Sequence, residues 1–336
     1  MSPRPRVLVV GVGSIGERHT RCFQATGRVE LAICEVQPAL RDTIAQRYGL
    51  THVHADLGSA LADAPQAVVI ATPAPFHIPQ AIEAVRAGCH VLIEKPLSTS
   101  LDRIDELRDA VRERQVVAAV AYVYRAHPVL GAMREALQSG RFGRPLQVVV
   151  VSGQHFPFYR PAYRDIYYRD RRTGGGAIQD ALTHTINACE WLVGPIACLA
   201  ADAAHLALAG VEVEDTVHVV ARHGQVLASY SLNQHQAPNE STITVICEHG
   251  TVRFEYHQNR WRWQVDPADS WHDEPGTPLE RDQLFVRQAD AFLDAVAQRS
   301  TPACTLDEAA QTLAVNLAIL DAVERRCWTS VRGQPH

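Results

Sequence analysis

Apolar runs alternate with amphipathic, helix-compatible segments along residues 6–122. Each run has the length of a buried strand, and two of the segments between them, 78–87 and 101–111, carry their apolar residues on one face of a helix. We predict that Ser100 caps one of these helices, which would begin at Leu101. Regular alternation of strand and helix is typical of an α/β fold with a doubly wound parallel sheet. The runs interpreted as strands are Arg6–Val10, Val29–Cys34, Ala67–Ala71, Cys89–Ile93 and Gln115–Tyr122, with a short extended piece around His52–His54.

The pattern changes after Tyr124. A helix over 128–138 is followed by strand-like segments joined by tight turns at glycines, which predicts a mostly antiparallel open sheet and an α+β domain. Two helices close the chain, and Thr305 and Glu308 have the spacing of a capping box at the start of the second. We therefore predict two domains, residues 1–123 and residues 124–336. The strands predicted in the second are 147–153, 216–222, 226–232, 241–247 and 251–256.

Charge and composition exclude several classes of protein. The formal net charge of the 336 residues is −5 at pH 7, and acidic and basic residues are mixed, so no nucleic-acid surface is expected. The longest apolar runs are too short to span a bilayer, and we expect a cytoplasmic protein. The eight cysteines show no C-x-x-C pair, which argues against a disulfide framework or a zinc site. His52 and His54 lack an accompanying cluster of ligands, so we expect no metal.

The first predicted strand runs into a glycine motif, Gly11-Val12-Gly13-Ser14-Ile15-Gly16, that precedes a predicted helix. This is the context in which G-x-G-x-x-G binds the pyrophosphate of a dinucleotide on the backbone and on the helix N-terminus. The alternative is a glycine-rich turn with no ligand. The predicted phosphate-binding residues are Gly11, Gly13, Ser14, Ile15 and Gly16.

Glu35 ends the second predicted strand, at the spacing expected for the acid that binds the adenosine ribose. A carboxylate there accepts hydrogen bonds from the ribose hydroxyls and repels a 2′-phosphate. We therefore predict NAD rather than NADP, although Arg41 lies near enough in sequence to leave NADP open.

Two further segments follow predicted strands. Thr72 and Pro73 begin a loop that reaches His77, and Glu94-Lys95-Pro96 follows the next apolar run. Ligands bind outside the carboxyl ends of the strands in such sheets, so both segments are expected to face the cofactor. The alternative for Glu94 and Lys95 is a surface ion pair, which contributes roughly 0–1 kcal/mol.

Asp180 and His184 stand four residues apart in a predicted helix that three glycines, Gly174–Gly176, precede. This places both side chains on one helix face. One interpretation is an acid/base pair, since histidine titrates near neutral pH. The alternative is a hydrogen-bonded pair on a surface helix.

The preceding loop, 154–172, is dense in aromatic and arginine side chains, which suit sugar rings and anionic groups but are also typical of subunit interfaces. An acidic or nucleotide-linked sugar is one substrate that such a loop would suit. The candidate substrate contacts are Tyr124, His155 and Tyr168.

Together these motifs resemble the Gfo/Idh/MocA oxidoreductases over nearly the whole chain. The resemblance rests on the glycine motif with His19, the loop from Thr72 to His77, Glu94-Lys95-Pro96, and the glycines followed by Asp180 and His184. It implies an N-terminal Rossmann domain that binds NAD(P) and a C-terminal open-sheet domain that binds substrate and forms a homodimer or homotetramer. The chain departs from the family pattern at Ala74, Leu182 and Asn187.

The resemblance also implies roles at the site. Lys95 would hold the reacting oxygen of a sugar or cyclitol hydroxyl beside the nicotinamide, Asp180 would position the substrate, and His184 would take the hydroxyl proton. The implied activity is NAD(P)-dependent hydride transfer. An NAD-dependent glycoside hydrolase and a non-catalytic NAD-sensing protein of the same fold are the alternatives.

Overall fold

The computed structural model describes residues 4–331. The chain divides into two compact units, the first comprising Met1–Ala126 with Glu280–Ala310 and the second His127–Leu279 with Gln311–His336.

Unit 1 contains a six-stranded parallel sheet with the strand order β3-β2-β1-β4-β5-β6. This is the order of a dinucleotide-binding Rossmann fold, in which the strand order reverses between β1 and β4. The predicted parallel sheet is confirmed, and its central strands are buried because helices cover such sheets on both faces. The strands are β1 (Arg6–Val10), β2 (Glu30–Cys34), β3 (His52–His54), β4 (Ala67–Ile70), β5 (His90–Ile93) and β6 (Ala118–Val120). The helices between them are α1 (Ser14–Ala25), α2 (Pro38–Tyr48), α3 (Leu57–Ala62), α4 (His77–Arg86) and α5 (Ile104–Arg114).

The predicted cap at Ser100 is wrong. Helix α5 begins at Ile104, and the residue before it, Arg103, has a left-handed φ of 61°. The Ser100 hydroxyl instead donates to the Asp102 carboxylate at 2.9 Å, which closes a local turn ahead of the helix.

Unit 2 contains a nine-stranded sheet with the order β14-β13-β12-β11-β7-β10-β9-β8-β15. All neighbours are antiparallel except β7 and β10, so the predicted mostly antiparallel sheet is confirmed. The strands are β7 (Pro145–Gly153), β8 (Cys198–Ala204), β9 (Thr216–His223), β10 (Val226–Asn233), β11 (Glu240–Cys247), β12 (Gly250–Glu255), β13 (Arg260–Gln264), β14 (His272–Pro275) and β15 (Thr329–Ser330). The first helices of this unit are α6 (Pro128–Gln138), α7 (Phe156–Tyr159) and α8 (Thr183–Val193).

The sheet of unit 2 buries one face and exposes the other. Burial alternates residue by residue along β9 and β10, as expected for strands with one covered face. The exposed face nevertheless carries large apolar side chains, since Val151, Val220 and Leu227 are each about half exposed.

Two helices lie between β14 and β15 in the chain, α9 (Gln283–Val296) and α10 (Leu306–Arg325). Helix α9 belongs to unit 1, where Arg28 donates to Asp290 and Asp294 at 2.9 and 2.7 Å. The predicted domain of residues 124–336 includes this segment, whereas the compact units place Glu280–Ala310 with the N-terminal residues.

The capping box is confirmed at the start of α10. The Thr305 hydroxyl accepts the Glu308 N–H at 3.2 Å, and the Glu308 carboxylate accepts the Thr305 N–H at 2.8 Å. Among the helices of residues 4–331, none is both long and apolar enough to cross a membrane.

Candidate active site

The glycine turn after β1 has the geometry of a phosphate cradle. Gly11 has a φ of 78°, which favours glycine, and a Cβ on Gly16 would lie 1.8 Å from the Gly11 carbonyl oxygen. Gly16 therefore lets α1 pack directly on the turn. A Cβ on Gly13 would meet nothing within 4 Å, so the space above this residue is open to a ligand.

Helix α1 begins at Ser14, directly after Gly13, and no side chain caps its first turn. Uncapped N–H groups and the positive end of the helix dipole favour an anion at this position. Ser14 is exposed and Ile15 half-buried, so the helix start is accessible to a pyrophosphate.

Glu35 follows β2 at the same edge of the sheet and is 7% exposed. Its two carboxylate oxygens accept the backbone N–H groups of Val12 and Gln37, each at 3.0 Å. These bonds fix the carboxylate beside the glycine turn, and each oxygen retains a second lone pair for a ribose hydroxyl. Arg41 donates to the Glu35 backbone carbonyl at 3.3 Å.

The cradle, the uncapped helix start and the fixed carboxylate thus fit a dinucleotide. The residues that would hold it in unit 1 are those of the glycine turn, with Glu35 on the adenosine side.

His77 joins the two other predicted loops of unit 1. It is 1% exposed, and its ring nitrogens lie 2.7 Å from the Thr72 carbonyl oxygen and 3.0 Å from that of Pro96. Burial lowers its pKa. This placement makes His77 a bridge that positions the loops, while Pro73 beside it is exposed and Thr72 half-buried.

Glu94 lies at the carboxyl end of β5, where it orients its neighbour Lys95. One carboxylate oxygen contacts His19 Nε2 at 2.6 Å, and the other accepts the Lys95 backbone N–H at 3.0 Å. Burial acts to raise the pKa of Glu94, but the hydrogen bond with His19 and the charge of Lys95 outweigh it, so the pKa lies below its ordinary value. An ionised Glu94 therefore anchors the Lys95 backbone from inside the unit. Glu94 and Lys95 therefore do not form the surface ion pair that was the alternative, since Glu94 is 4% exposed.

Tyr124 lies in the short 3-10 turn Val123–Ala126 that follows β6, and it is half-buried. Strands β1, β4 and β5 are neighbours, so the glycine turn, Thr72 and Lys95 all lie at one edge of the parallel sheet. The structure thus brings together the residues of unit 1 that the sequence selected.

In unit 2 the three glycines allow a tight approach to the helix that carries Asp180. A Cβ on Gly175 would lie 2.2 Å from the Tyr168 carbonyl oxygen, and one on Gly176 would lie 2.4 Å from the Glu214 carboxylate. Glu214, with its side chain fully buried, accepts the Ile178 N–H at 3.1 Å and pairs with Arg171 at 2.7 Å. A buried carboxylate therefore satisfies the start of this helix.

The helix opens with a π-helical turn, Ile178–Leu182, before α8 begins at Thr183. Asp180 lies in the π-helical turn and is 2% exposed, while His184 lies in the first turn of α8 and is half-buried. The sequence predicted one regular helix here. π-helical turns occur frequently at functional sites, because they displace the side chains that follow.

Two side chains that sequence reasoning missed contact Asp180. The Tyr167 hydroxyl donates to one carboxylate oxygen at 2.5 Å, and Arg160 lies 3.4 Å from the other. The only sequence signal for either residue was its membership of the aromatic and arginine-rich loop.

Tyr168 and His155, two of the predicted substrate contacts, differ in their surroundings. Tyr168 is 1% exposed, packs against Phe156, and donates its hydroxyl to Gln234. Burial raises its pKa. His155 is half-buried between β7 and α7. Tyr168 therefore lies in the core of the loop, and the roles of both residues in substrate binding stay predictions.

Comparison with known proteins accounts for both halves of the chain. Residues 5–122 match the model of an oxidoreductase family with an NAD-binding Rossmann fold, and residues 131–253 match the Gfo/Idh/MocA C-terminal domain. A levoglucosan dehydrogenase from Pseudarthrobacter phenanthrenivorans is 24% identical over 97% of this chain and 97% of its own length.

Solved structures share the fold. A levoglucosan dehydrogenase in complex with NADH and levoglucosan gives a TM-score of 0.89 at 22% identity, over 98% of this chain and 100% of that one. The WlbA dehydrogenase from Bordetella pertussis in complex with NADH and UDP-GlcNAcA gives 0.82 at 27% identity, over 99% of each chain.

Both family models match in the expected order, and the resemblance inferred from the motifs is confirmed. The chain belongs to the Gfo/Idh/MocA family of NAD-binding oxidoreductases.

Proposed function

We propose that this protein is an NAD-dependent dehydrogenase or reductase that acts on a CH–OH group of a sugar, sugar derivative or cyclitol. The observation that carries the proposal is the edge of the parallel sheet in unit 1. There an open glycine turn, an uncapped helix start and the anchored Lys95 lie together, in a chain of an oxidoreductase family.

The nicotinamide of bound NAD supplies the hydride acceptor, or the donor in the reverse direction. Glu35 binds the adenosine ribose and disfavours a 2′-phosphate. The glycine turn binds the pyrophosphate on backbone N–H groups, and Thr72 and Pro73 shape the loop beside it. Lys95 holds the reacting oxygen, since the ammonium group of a lysine carries a positive charge and three hydrogen-bond donors.

Asp180 and His184 act on the substrate. Asp180 accepts a hydrogen bond from a substrate hydroxyl and orients the ring. His184 takes the hydroxyl proton as the C–H bond breaks, a task for which enzymes use histidine most often. The transfer is balanced, because the hydroxyl proton goes to His184 and the hydride goes to the cofactor.

The substrate class is proposed from relatives. Levoglucosan dehydrogenase is named for a neutral sugar derivative, and WlbA was solved with a nucleotide-linked acidic sugar. The exposed Arg169 of the loop 154–172 suits the second kind of substrate as well.

We also propose a homodimer or homotetramer that forms through the exposed sheet face of unit 2, because Val151, Val220 and Leu227 present apolar surface there. The cytoplasmic location stays a prediction from the sequence. Light scattering of the wild type and of Val220→Glu tests the assembly, and a monomeric wild type would refute it.

The activity is tested with a panel of sugars, sugar derivatives, cyclitols and aryl glycosides. NADH absorbance and released aglycone are followed together in each reaction. We expect NADH to form with at least one sugar or cyclitol, at a lower KM for NAD than for NADP. Aglycone release without net NADH would instead indicate the NAD-dependent glycoside hydrolase.

The assigned roles are tested with Lys95→Met and His184→Ala. Each variant is expected to lose roughly 10²–10⁴-fold in turnover, the usual contribution of an acid/base or electrostatic group. The His184→Ala variant should still bind NAD, as measured by the quenching of protein fluorescence. Full turnover in both variants would refute the catalytic assignment.

A further inference from the structure

The carboxylate of Asp180 is held by two side chains of one loop. The Tyr167 hydroxyl contacts its Oδ1 atom at 2.5 Å, and the Arg160 guanidinium lies 3.4 Å from its Oδ2 atom. Each oxygen thus has its own donor, and the two donors approach from one segment, residues 160–167.

A carboxylate that is 2% exposed has little water to solvate it, so hydrogen-bond donors such as these two stabilise its charge and restrict its orientation. Hydrogen bonds in which the acceptor is ionised are short and about twice as strong as neutral ones. A cation on the second oxygen favours the ionised form further. The neighbouring Asp180 raises the pKa of Arg160, so the two side chains attract each other.

The loop that carries both donors is itself anchored. The Tyr167 backbone carbonyl accepts the Thr173 hydroxyl at 2.8 Å, and the Arg160 guanidinium lies over the buried Phe156 ring at 5.3 Å. Phe156 packs in turn against the buried ring of Tyr168. The donors are therefore set in place by packing, which fixes the direction in which Asp180 points.

We propose that Tyr167 and Arg160 are positioning residues for the reaction, which act by fixing the orientation and the ionised state of Asp180. The proposal rests on the proposed function, in which Asp180 orients the substrate. It assigns no contact between Tyr167 or Arg160 and the substrate.

The first test is a double-mutant cycle with Tyr167→Phe and Asp180→Ala. The hydroxyl contributes through Asp180, so Tyr167→Phe is expected to lower kcat/KM for the sugar about 10- to 100-fold in the wild type. In the Asp180→Ala background the same change should have almost no effect. The KM for NAD should stay unchanged, which a general loss of structure would not allow.

The matched control is Tyr159→Phe. Tyr159 lies in the same loop, is 46% exposed, and its ring packs against Phe158. The kcat/KM of the Tyr159→Phe enzyme should remain within about twofold of the wild-type value. For Arg160, substitution with Lys should retain more activity than substitution with Gln, because Lys keeps the charge.

A second readout does not depend on turnover. The same cycle measured on the free energy of unfolding should show coupling between Tyr167 and Asp180, since each variant removes one partner of the bond. Coupling in unfolding together with a wild type that oxidises no sugar would refute the proposed function and leave the contact standing. Additive effects in both cycles, or a Tyr167→Phe enzyme with wild-type kcat/KM, would overturn the inference.

Discussion

Gly13 and Gly16 belong to one motif, yet the structure gives them different tasks. Gly16 packs against the Gly11 carbonyl oxygen and has no room for a side chain, while the space above Gly13 is open. We therefore expect packing to require Gly16 and the cofactor to require Gly13.

This difference predicts opposite results for two alanine variants. Gly13→Ala should have the wild-type free energy of unfolding, since the φ of −62° at Gly13 suits any residue. It should bind NAD at least about 10-fold more weakly, because the added methyl group occupies the phosphate cradle. Gly16→Ala should be destabilised by about 2–4 kcal/mol, because backbone must move to admit the methyl group. Chemical denaturation and fluorescence titration with NAD measure the two effects.

Gly131→Ala is the control, since a Cβ there meets nothing within 4 Å and the residue lies within α6. It should leave NAD binding unchanged and keep or slightly raise stability. Equal affinity for NAD in Gly13→Ala and the wild type would contradict the placement of the cofactor.

The sequence could select the residues of local motifs, but not the contacts made by a long loop. The glycine motif and Glu35 are positioned by the strand and helix beside them, so their spacing carried the information. Tyr167 and Tyr168 are neighbours in the chain, and nothing in their composition tells which ring enters the core. The fold of the loop buries Tyr168 and turns Tyr167 to Asp180.

At the scale of elements, the helix of the second unit depends on a residue from another segment. The Glu214 carboxylate, from the loop before β9, accepts the Ile178 N–H at the start of the π-helical turn. Removal of this acceptor leaves a buried donor unsatisfied two residues ahead of Asp180.

We therefore expect Glu214→Ala to lower the free energy of unfolding by about 1–3 kcal/mol and to reduce kcat/KM for the sugar. Urea denaturation and steady-state kinetics measure the two effects. Glu212→Ala, at an exposed position of the same loop, is the control and should change stability by less than about 0.5 kcal/mol. The role of Glu214 would be contradicted by equal stability of the two variants.

Some elements lay beyond sequence reasoning for physical reasons. Strand β8 is rich in alanine, which has a low strand propensity, and the exposed edge strand β14 has no apolar face to alternate. Helix α9 shows a clear core face, but the chain order could not tell that it packs in unit 1. Its ion pairs with Arg28 depend on tertiary structure.

At the scale of the whole molecule, the stability of unit 2 should depend on pH through His223. The ring is 3% exposed, with Nδ1 at 2.6 Å from the Gly194 carbonyl and Nε2 at 2.7 Å from the Tyr230 hydroxyl. These contacts suit a neutral ring that donates through Nδ1 and accepts at Nε2. Burial lowers the pKa of His223 from 6.5 to about 4.

The sign of the effect follows from linkage. Below pH 6.5 the unfolded chain binds a proton at this residue and the folded protein does not. The free energy of unfolding therefore decreases as the pH is lowered from 6.5 to about 4. The shift in the pKa of His223 lowers the free energy of unfolding by about 3 kcal/mol between pH 6.5 and pH 4.

Unfolding free energies from pH 4 to 7.5 test this prediction. In His223→Gln the slope of the unfolding free energy against pH should decrease by the equivalent of about one bound proton. His218→Gln, on the exposed face of the same strand, should keep the wild-type slope. An unchanged slope in His223→Gln would contradict the prediction.

The central claim is that the protein moves a hydride directly between a sugar carbon and NAD. The most direct measurement uses a sugar from the panel with deuterium on the oxidised carbon, followed by mass spectrometry of the reduced cofactor. We expect one deuterium in each NADH formed. NADH without deuterium, or a reaction in which the label appears only in water, would contradict it.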